Sequence, residues 1–175
     1  MSRAFAKDEG PEDPIVVPPR ASLPPGTTNY VTARGLALLR AEGERLQRER
    51  EMLEAEEQSD DTRRALAVLN GRIAALNERL TSARLVQGEP QAHDAVRFGA
   101  TVTVKTVRAE DWEREGELRT FTLVGVDEAD PEQELVAFIA PLARAVMGKR
   151  EGESATLRTG RGDETLEIVE IRYRA

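Results

Sequence analysis

The 175-residue chain has no cysteine and only one histidine, His93. Disulfides, thiol nucleophiles and cysteine-bound zinc are excluded, and one imidazole removes most histidine metal sites and most catalytic triads. Aromatic residues make up 4% of the chain and charged residues 33%, which describes a broad solvated surface rather than a deep ligand pocket. No stretch approaches the roughly 20 apolar residues of a membrane span. The N-terminus lacks the apolar core of a secretory signal, so a cytoplasmic chain is expected. A basic stripe is also missing. The net charge is −7; residues 32–87 carry ten basic and ten acidic side chains, and residues 92–175 carry twelve against seventeen. Duplex binding draws much of its affinity from phosphate neutralisation, so no autonomous DNA binding is expected.

The 39% of hydrophobic residues suffices for one main core with an accessory element. Residues 1–29 hold six of the nine prolines and almost no apolar periodicity, and are predicted to form a disordered or loosely extended arm.

Residues 30–87 are predicted to form an antiparallel coiled-coil hairpin. Spacing of three and four selects Leu36, Leu39, Gly43, Leu46, Arg50 and Leu53, then Leu66, Leu69, Ile73, Leu76, Leu80 and Ala83. Thr32 is placed to cap the first helix. Ser59 or Asp60 is placed to cap the second, where acid suits the positive helix terminus. The segment from Glu56 to Arg64 between the two seams is wholly polar, which puts the turn there. About 26 residues per arm would make a rod about 40 Å long. The outer faces are charged, so no third helix and no dimer is demanded, and a monomer is expected.

Gly88-Glu89-Pro90 ends the helical pattern, and residues 88–95 are read as a linker with His93 exposed in it. Over residues 96–175 the apolar period becomes two. Strands are predicted at 96–106, 118–126, 135–139, 154–158 and 165–173, with a loop at 110–116 and a turn at Gly160-Arg161-Gly162-Asp163. Pro141 opens a short helix that Gly148 ends. The fold class expected is α+β: a helical hairpin followed by a small antiparallel β domain.

Five segments in register carry a family resemblance. They are Tyr30-Val31-Thr32 with Gly35, Leu36 and Leu39; Gly71-Arg72-Ile73 with Leu76, Leu80 and Ala83; Phe98-Gly99-Ala100-Thr101-Val102-Thr103-Val104; Val124-Gly125-Val126-Asp127-Glu128-Ala129-Asp130; and Pro141-Leu142-Ala143-Arg144-Ala145-Val146-Met147-Gly148-Lys149. Together, over residues 30–174, they resemble the GreA/GreB bacterial transcription elongation factors. The resemblance implies an FKBP-like C-terminal domain that docks on the rim of the secondary channel of bacterial RNA polymerase. It also implies a coiled coil that threads the channel, and tip acids that help hold a Mg²⁺ in the polymerase's own active centre. The nascent RNA 3′ end is then cut by the polymerase, so the chain is implied to be an accessory factor and not an enzyme, with no stable metal of its own.

Residue by residue, Pro141 and Leu142 match the docking segment, although Ile139-Ala140 stands where the family carries a polar pair. The family's tip reads like Gly-Asp-Leu-x-Glu-Asn, whereas this tip reads Gln58-Ser59-Asp60-Asp61-Thr62-Arg63. Asp60 and Asp61, with Glu57 behind them, are therefore candidate tip acids by position only. Arg48, Arg50, Arg63 and Arg64 are candidates for contact with RNA or polymerase, or equally for pairing with Glu44, Glu54 and Glu57 on a solvated face. Each arm is about one heptad shorter than the family's, which leaves the tip about 10 Å short. Other readings are a channel ligand without cleavage activity, similar to the regulator of nucleoside diphosphate kinase; a prolyl isomerase, which would need Phe98, Trp112, Phe121, Phe138 and Tyr173 to line a pocket; and a structural coiled-coil adaptor.

Overall fold

The computed structural model describes residues 16–57, 59–86, 94–160 and 162–173; Gln58, His93 and Arg161 lie outside them. A three-residue strand, β1 (Asn29–Val31), leads into helix α1 (Ala33–Ala55); helix α2 (Asp60–Ser82) returns and ends in β2 (Ala83–Leu85). The Thr32 side chain accepts from the Gly35 amide and Ser59 accepts from the Thr62 amide, so both helices start on the caps read from the sequence. Leu39, Leu46, Leu69, Ile73 and Leu76 are buried between the helices, with Leu36, Leu53, Leu80 and Ala83 packed at the margins. Gly43 lies in this seam, and a Cβ there would sit 3.5 Å from the Leu76 side chain. Both helices have 23 residues, fewer than expected, and α2 ends early because residues 83–85 leave the helix and pair in parallel with 29–31. Buried Asn29 donates to the Arg79 carbonyl at 3.0 Å, satisfying a carbonyl that the end of α2 leaves free.

The C-terminal domain is a five-stranded sheet in the order β5-β4-β3-β7-β6. Its strands are β3 (Ala100–Arg108), β4 (Leu118–Val124), β5 (Leu135–Ala137), β6 (Ser154–Thr159) and β7 (Gly162–Tyr173). The inward residues of β3, which are Ala100, Val102 and Val104, meet Phe121, Leu123, Leu166 and Ile168. Helix α3 (Pro141–Val146) covers this core with Ala143 and Val146. Outward threonines pair across the strands, Thr101 with Thr122 at 2.8 Å and Thr103 with Thr120 at 3.0 Å. The architecture is α+β, as the sequence predicts, with two differences in the sheet. Strand β3 begins at Ala100 and not near residue 96, because Phe98-Gly99 make a turn with Gly99 at φ +84°. Strand β5 runs parallel to β4, so the sheet is mixed; the turn at Pro131–Gln133 carries the chain back to the start of that edge.

Thr106 is fully buried, and among the described residues its hydroxyl has no hydrogen-bond partner. A lone buried hydroxyl carries a desolvation cost, so Thr106→Val is expected to raise stability by up to about 1 kcal/mol. The urea midpoint, which should rise, checks this.

Residues 16–28 of the proline-rich arm form no helix or strand, yet they are not loose. Arg20 donates a fork to Glu42 of α1, at 2.9 and 3.0 Å, and bonds Asp127 of the C-terminal domain at 2.9 Å. Composition alone reads this stretch as solvated because a half-buried ion pair leaves no periodic signature. The Arg20 hydrogen bond, helped by the charges of Arg45 and Arg72, holds the Glu42 carboxyl below its ordinary value. A lowered folded value means that this contribution is complete above the ordinary glutamate range and is lost as pH falls through the folded value. The melting-temperature gap between wild type and Glu42→Gln is expected to be widest near neutrality and to narrow as pH falls below the ordinary glutamate range.

Candidate functional site at the hairpin tip

The turn between the helices is held by its own polar groups. The cap residue Ser59 receives the Thr62 amide at 3.0 Å, and the Ser59 and Thr62 hydroxyls meet at 2.9 Å. The Thr62 hydroxyl bonds the Glu57 carbonyl at 3.1 Å, and Thr62 is buried while its neighbours are not. This network ties the Glu57 carbonyl and Ser59 to the first turn of α2. Asp60 and Asp61 then project into solvent from the first turn of α2, and Glu57 is exposed beside them. Asp60 and Asp61 lie in the first turn of α2, at the helix's positive end, where negative charge is favourably placed.

Each arginine candidate is accounted for. Arg48 pairs with Glu44 at 3.9 Å and Arg50 with Glu54 at 3.5 Å, both one helical turn apart. Arg63 pairs with Asp60 and not with Glu57. Arg64 is exposed. Pairs this exposed contribute about 0–1 kcal/mol each, so an incoming phosphate or carboxylate can replace them at little cost. Pro141 is exposed at the first position of α3, whereas Leu142 packs partly into the domain core, so Pro141 is the more available of the two.

Carboxylate oxygens are the donors a hard cation such as Mg²⁺ takes. Among the described residues, however, no group of three or more His, Cys, Asp or Glu side chains is gathered to hold one.

The aromatic side chains do not converge on one pocket. Phe121 is in the sheet core, and Trp112 is 74% exposed in the loop after β3. Tyr173 donates to the Ala95 carbonyl at 2.6 Å. Phe98 and Phe138 pack on Tyr30 of the hairpin base, with ring centroids 5.6–5.8 Å apart. That trio belongs to a joint between hairpin and sheet which the sequence reading missed. Glu128, buried in the loop after β4, accepts from the Thr32 hydroxyl and lies 3.5 Å from Arg34. A Cβ at Gly125 would stand 2.8 Å from the Tyr30 carbonyl, so only glycine allows this approach. The run Val124 to Asp130 is therefore the socket of the hairpin. Its signal in the sequence was the run Asp127-Glu128-Ala129-Asp130, polar or small, after the apolar end Leu123-Val124 of β4.

The molecule is thus a two-part α+β protein in which a helical finger stands on a β domain and carries carboxylates at its far end. Residues 91–173 match the family described as "Transcription elongation factor, GreA/GreB, C-term". The transcription elongation factor GreA of Halorhodospira halophila is 35% identical over 158 residues, covering 82% of this chain and 96% of that protein. That of Francisella tularensis subsp. novicida is 39% identical over 108 residues, covering 61% of this chain and 64% of the relative. Among solved structures, GreA factor homolog 1 of Thermus thermophilus aligns over 83% of this chain and 99% of its own, at 20% identity and a TM-score of 0.38. The GreA/GreB factor of Nitrosomonas europaea aligns over 84% and 99%, at 21% identity and a TM-score of 0.39. The chain belongs to the GreA/GreB family of transcription elongation factors.

Proposed function

We propose that this factor binds bacterial RNA polymerase with its hairpin in the secondary channel and rescues backtracked complexes by stimulating cleavage of the RNA 3′ end. The supporting observation is the exposed pair Asp60 and Asp61, held on a capped helix start at the far end of the finger. Each helix has 23 residues, so the finger is about 35 Å long. Its charge-balanced outer faces suit passage through a channel without sticking to either wall.

In this reading the β domain docks at the channel rim through the α3 end, with Pro141 foremost. The Ser59–Thr62–Glu57 network keeps the tip backbone from yielding. Asp60 releases Arg63, at a cost of about 1 kcal/mol or less, and offers its oxygens together with Asp61. Arg63, Arg64, Arg48 and Arg50 are then free to meet RNA phosphate or polymerase acid. A Mg²⁺ held jointly by the polymerase and these carboxylates would supply an activated water and stabilise charge on the phosphate.

A second reading, channel binding without cleavage, is favoured by one observation: Asp60 is already paired with Arg63. One assay separates the two. Added with Mg²⁺ to a stalled, backtracked elongation complex, the factor is expected to shorten the RNA from its 3′ end. Unchanged RNA with displacement of a genuine cleavage factor would establish the second reading. Neither shortening nor displacement would overturn both.

A further inference from the structure

We propose that residues 16–28 form a strap that sets the direction of the hairpin relative to the β domain, with Arg20 as its clasp. Without the strap, most of the joint lies at the start of α1. Tyr30 packs against Phe98 and Phe138, Thr32 and Arg34 reach Glu128, and Gly125 abuts the Tyr30 carbonyl. Contacts gathered at one corner leave a rocking motion about that corner. The strap adds a second, separate set of anchors. Arg20 spans Glu42 on α1 and Asp127 on the β domain, and Asp127 also faces Arg79 of α2 at 3.3 Å. Arg79 in turn donates to the Ala21 carbonyl of the strap. One carboxylate therefore gathers the arm, the second helix and the sheet domain into a single node. The Arg20 and Asp127 side chains are only 19% and 9% exposed there, so the node is shielded from the screening that weakens surface pairs.

Two further features fit a strap. Val17 lies directly over Gly71 of α2, where a Cβ would collide with it, so the missing side chain is the strap's seat. Pro18 and Pro19 restrict the backbone beside it, which reduces the entropy lost when the arm is laid down.

Lever arithmetic shows why direction matters. With a finger about 35 Å long, a tilt of about 10° at the base moves the tip by about 6 Å. Metal–ligand distances tolerate only a few tenths of an ångström. A finger free to rock would seldom present its carboxylates correctly. The consequence for activity rests on the proposed channel function, but the strap itself does not.

The absence of native cysteine permits a direct test. Cysteines introduced at Met52, on the exposed side of α1 near the tip, and at Arg158 on β6 would carry spin labels, and the distance between them would be read by pulsed electron resonance. A single narrow distance is expected for the full chain. Arg20→Gln and, separately, Gly71→Ala are each expected to broaden or shift it by about 5 Å or more. Gly71→Ala is the discriminating variant, because alanine favours the helix and dislodges only the strap. Its melting temperature should fall by no more than that of Glu42→Gln, the alanine offsetting part of the lost Arg20 contacts, while the distance changes. Glu44→Gln, which removes only an exposed pair, should leave the distance narrow. A broad distance in the parent protein, or an unchanged one in both Arg20→Gln and Gly71→Ala, would overturn the proposal whatever the polymerase assay returns.

Discussion

Replacing Asp60 and Asp61 together by alanine is expected to remove RNA shortening while leaving the factor folded and able to bind polymerase. Metal-centred stabilisation of a phosphoryl transition state is worth several kcal/mol, and about 1.4 kcal/mol is a factor of ten. The rate of cleavage should therefore fall by on the order of a hundredfold or more. Stability should change far less. Ser59, not either aspartate, caps α2, and the aspartates contribute only their interaction with the helix dipole, about 0.3–1 kcal/mol each. Asp60→Asn with Asp61→Asn keeps the shape and removes the charge, so it should behave like the alanine pair. Arg63→Gln should cost far less than the loss of both acids, because it removes one of four cationic contacts while relieving Asp60 of an exposed partner. Undiminished cleavage by the alanine pair would take the tip acids out of the reaction.

Leu46→Ala is expected to cost about 3 kcal/mol, within the 2–5 kcal/mol usual for a leucine deleted from a core. Leu46 is 0% exposed at the middle of α1, where the paired helix leaves little freedom to collapse into the space. The loss should fall on the hairpin alone. Among the described residues, five buried apolar side chains lie between the helices, whereas twelve form the core of the β domain, so the finger is the weaker unit. Helical circular dichroism should melt at lower temperature or lower urea, with the β domain unfolding later. Met52→Ala, at an exposed site on the same helix, should change stability by less than about 0.5 kcal/mol. Channel-dependent activity should fall with Leu46→Ala as the finger frays, although nothing at the tip has changed.

The hairpin was legible because its signal is periodic. Thr32 and Ser59 announced the helix starts, and leucines at three-and-four spacing announced the buried faces. The strands of the sheet were legible for the same reason, since Val102, Val104, Leu166 and Ile168 alternate with less buried neighbours. What stayed hidden was aperiodic. The pairing of Asn29–Val31 with Ala83–Leu85 involves three-residue strands, too short to show any period, and it took the end of the second helix. The parallel setting of β5 depends on the turn before it, not on its own residues. Arg20, Asp127 and Glu128 are charged residues that a linear reading assigns to solvent; they become structural only because three distant segments meet. At the tip, the exposure of Asp60 and Asp61 was legible, since both lie in a wholly polar run. The partner of Arg63 was not, because a choice between Asp60 and Glu57 depends on where the helix starts.

The central claim is that the tip of this finger sits beside the polymerase active centre. A photocrosslinker attached to a cysteine at position 56, unique in this cysteine-free chain, would report its surroundings in a backtracked elongation complex. Crosslinks to the catalytic centre and to the RNA 3′ end are the expected result. Crosslinks confined to the outer surface of the polymerase, with none in the channel, would contradict the account.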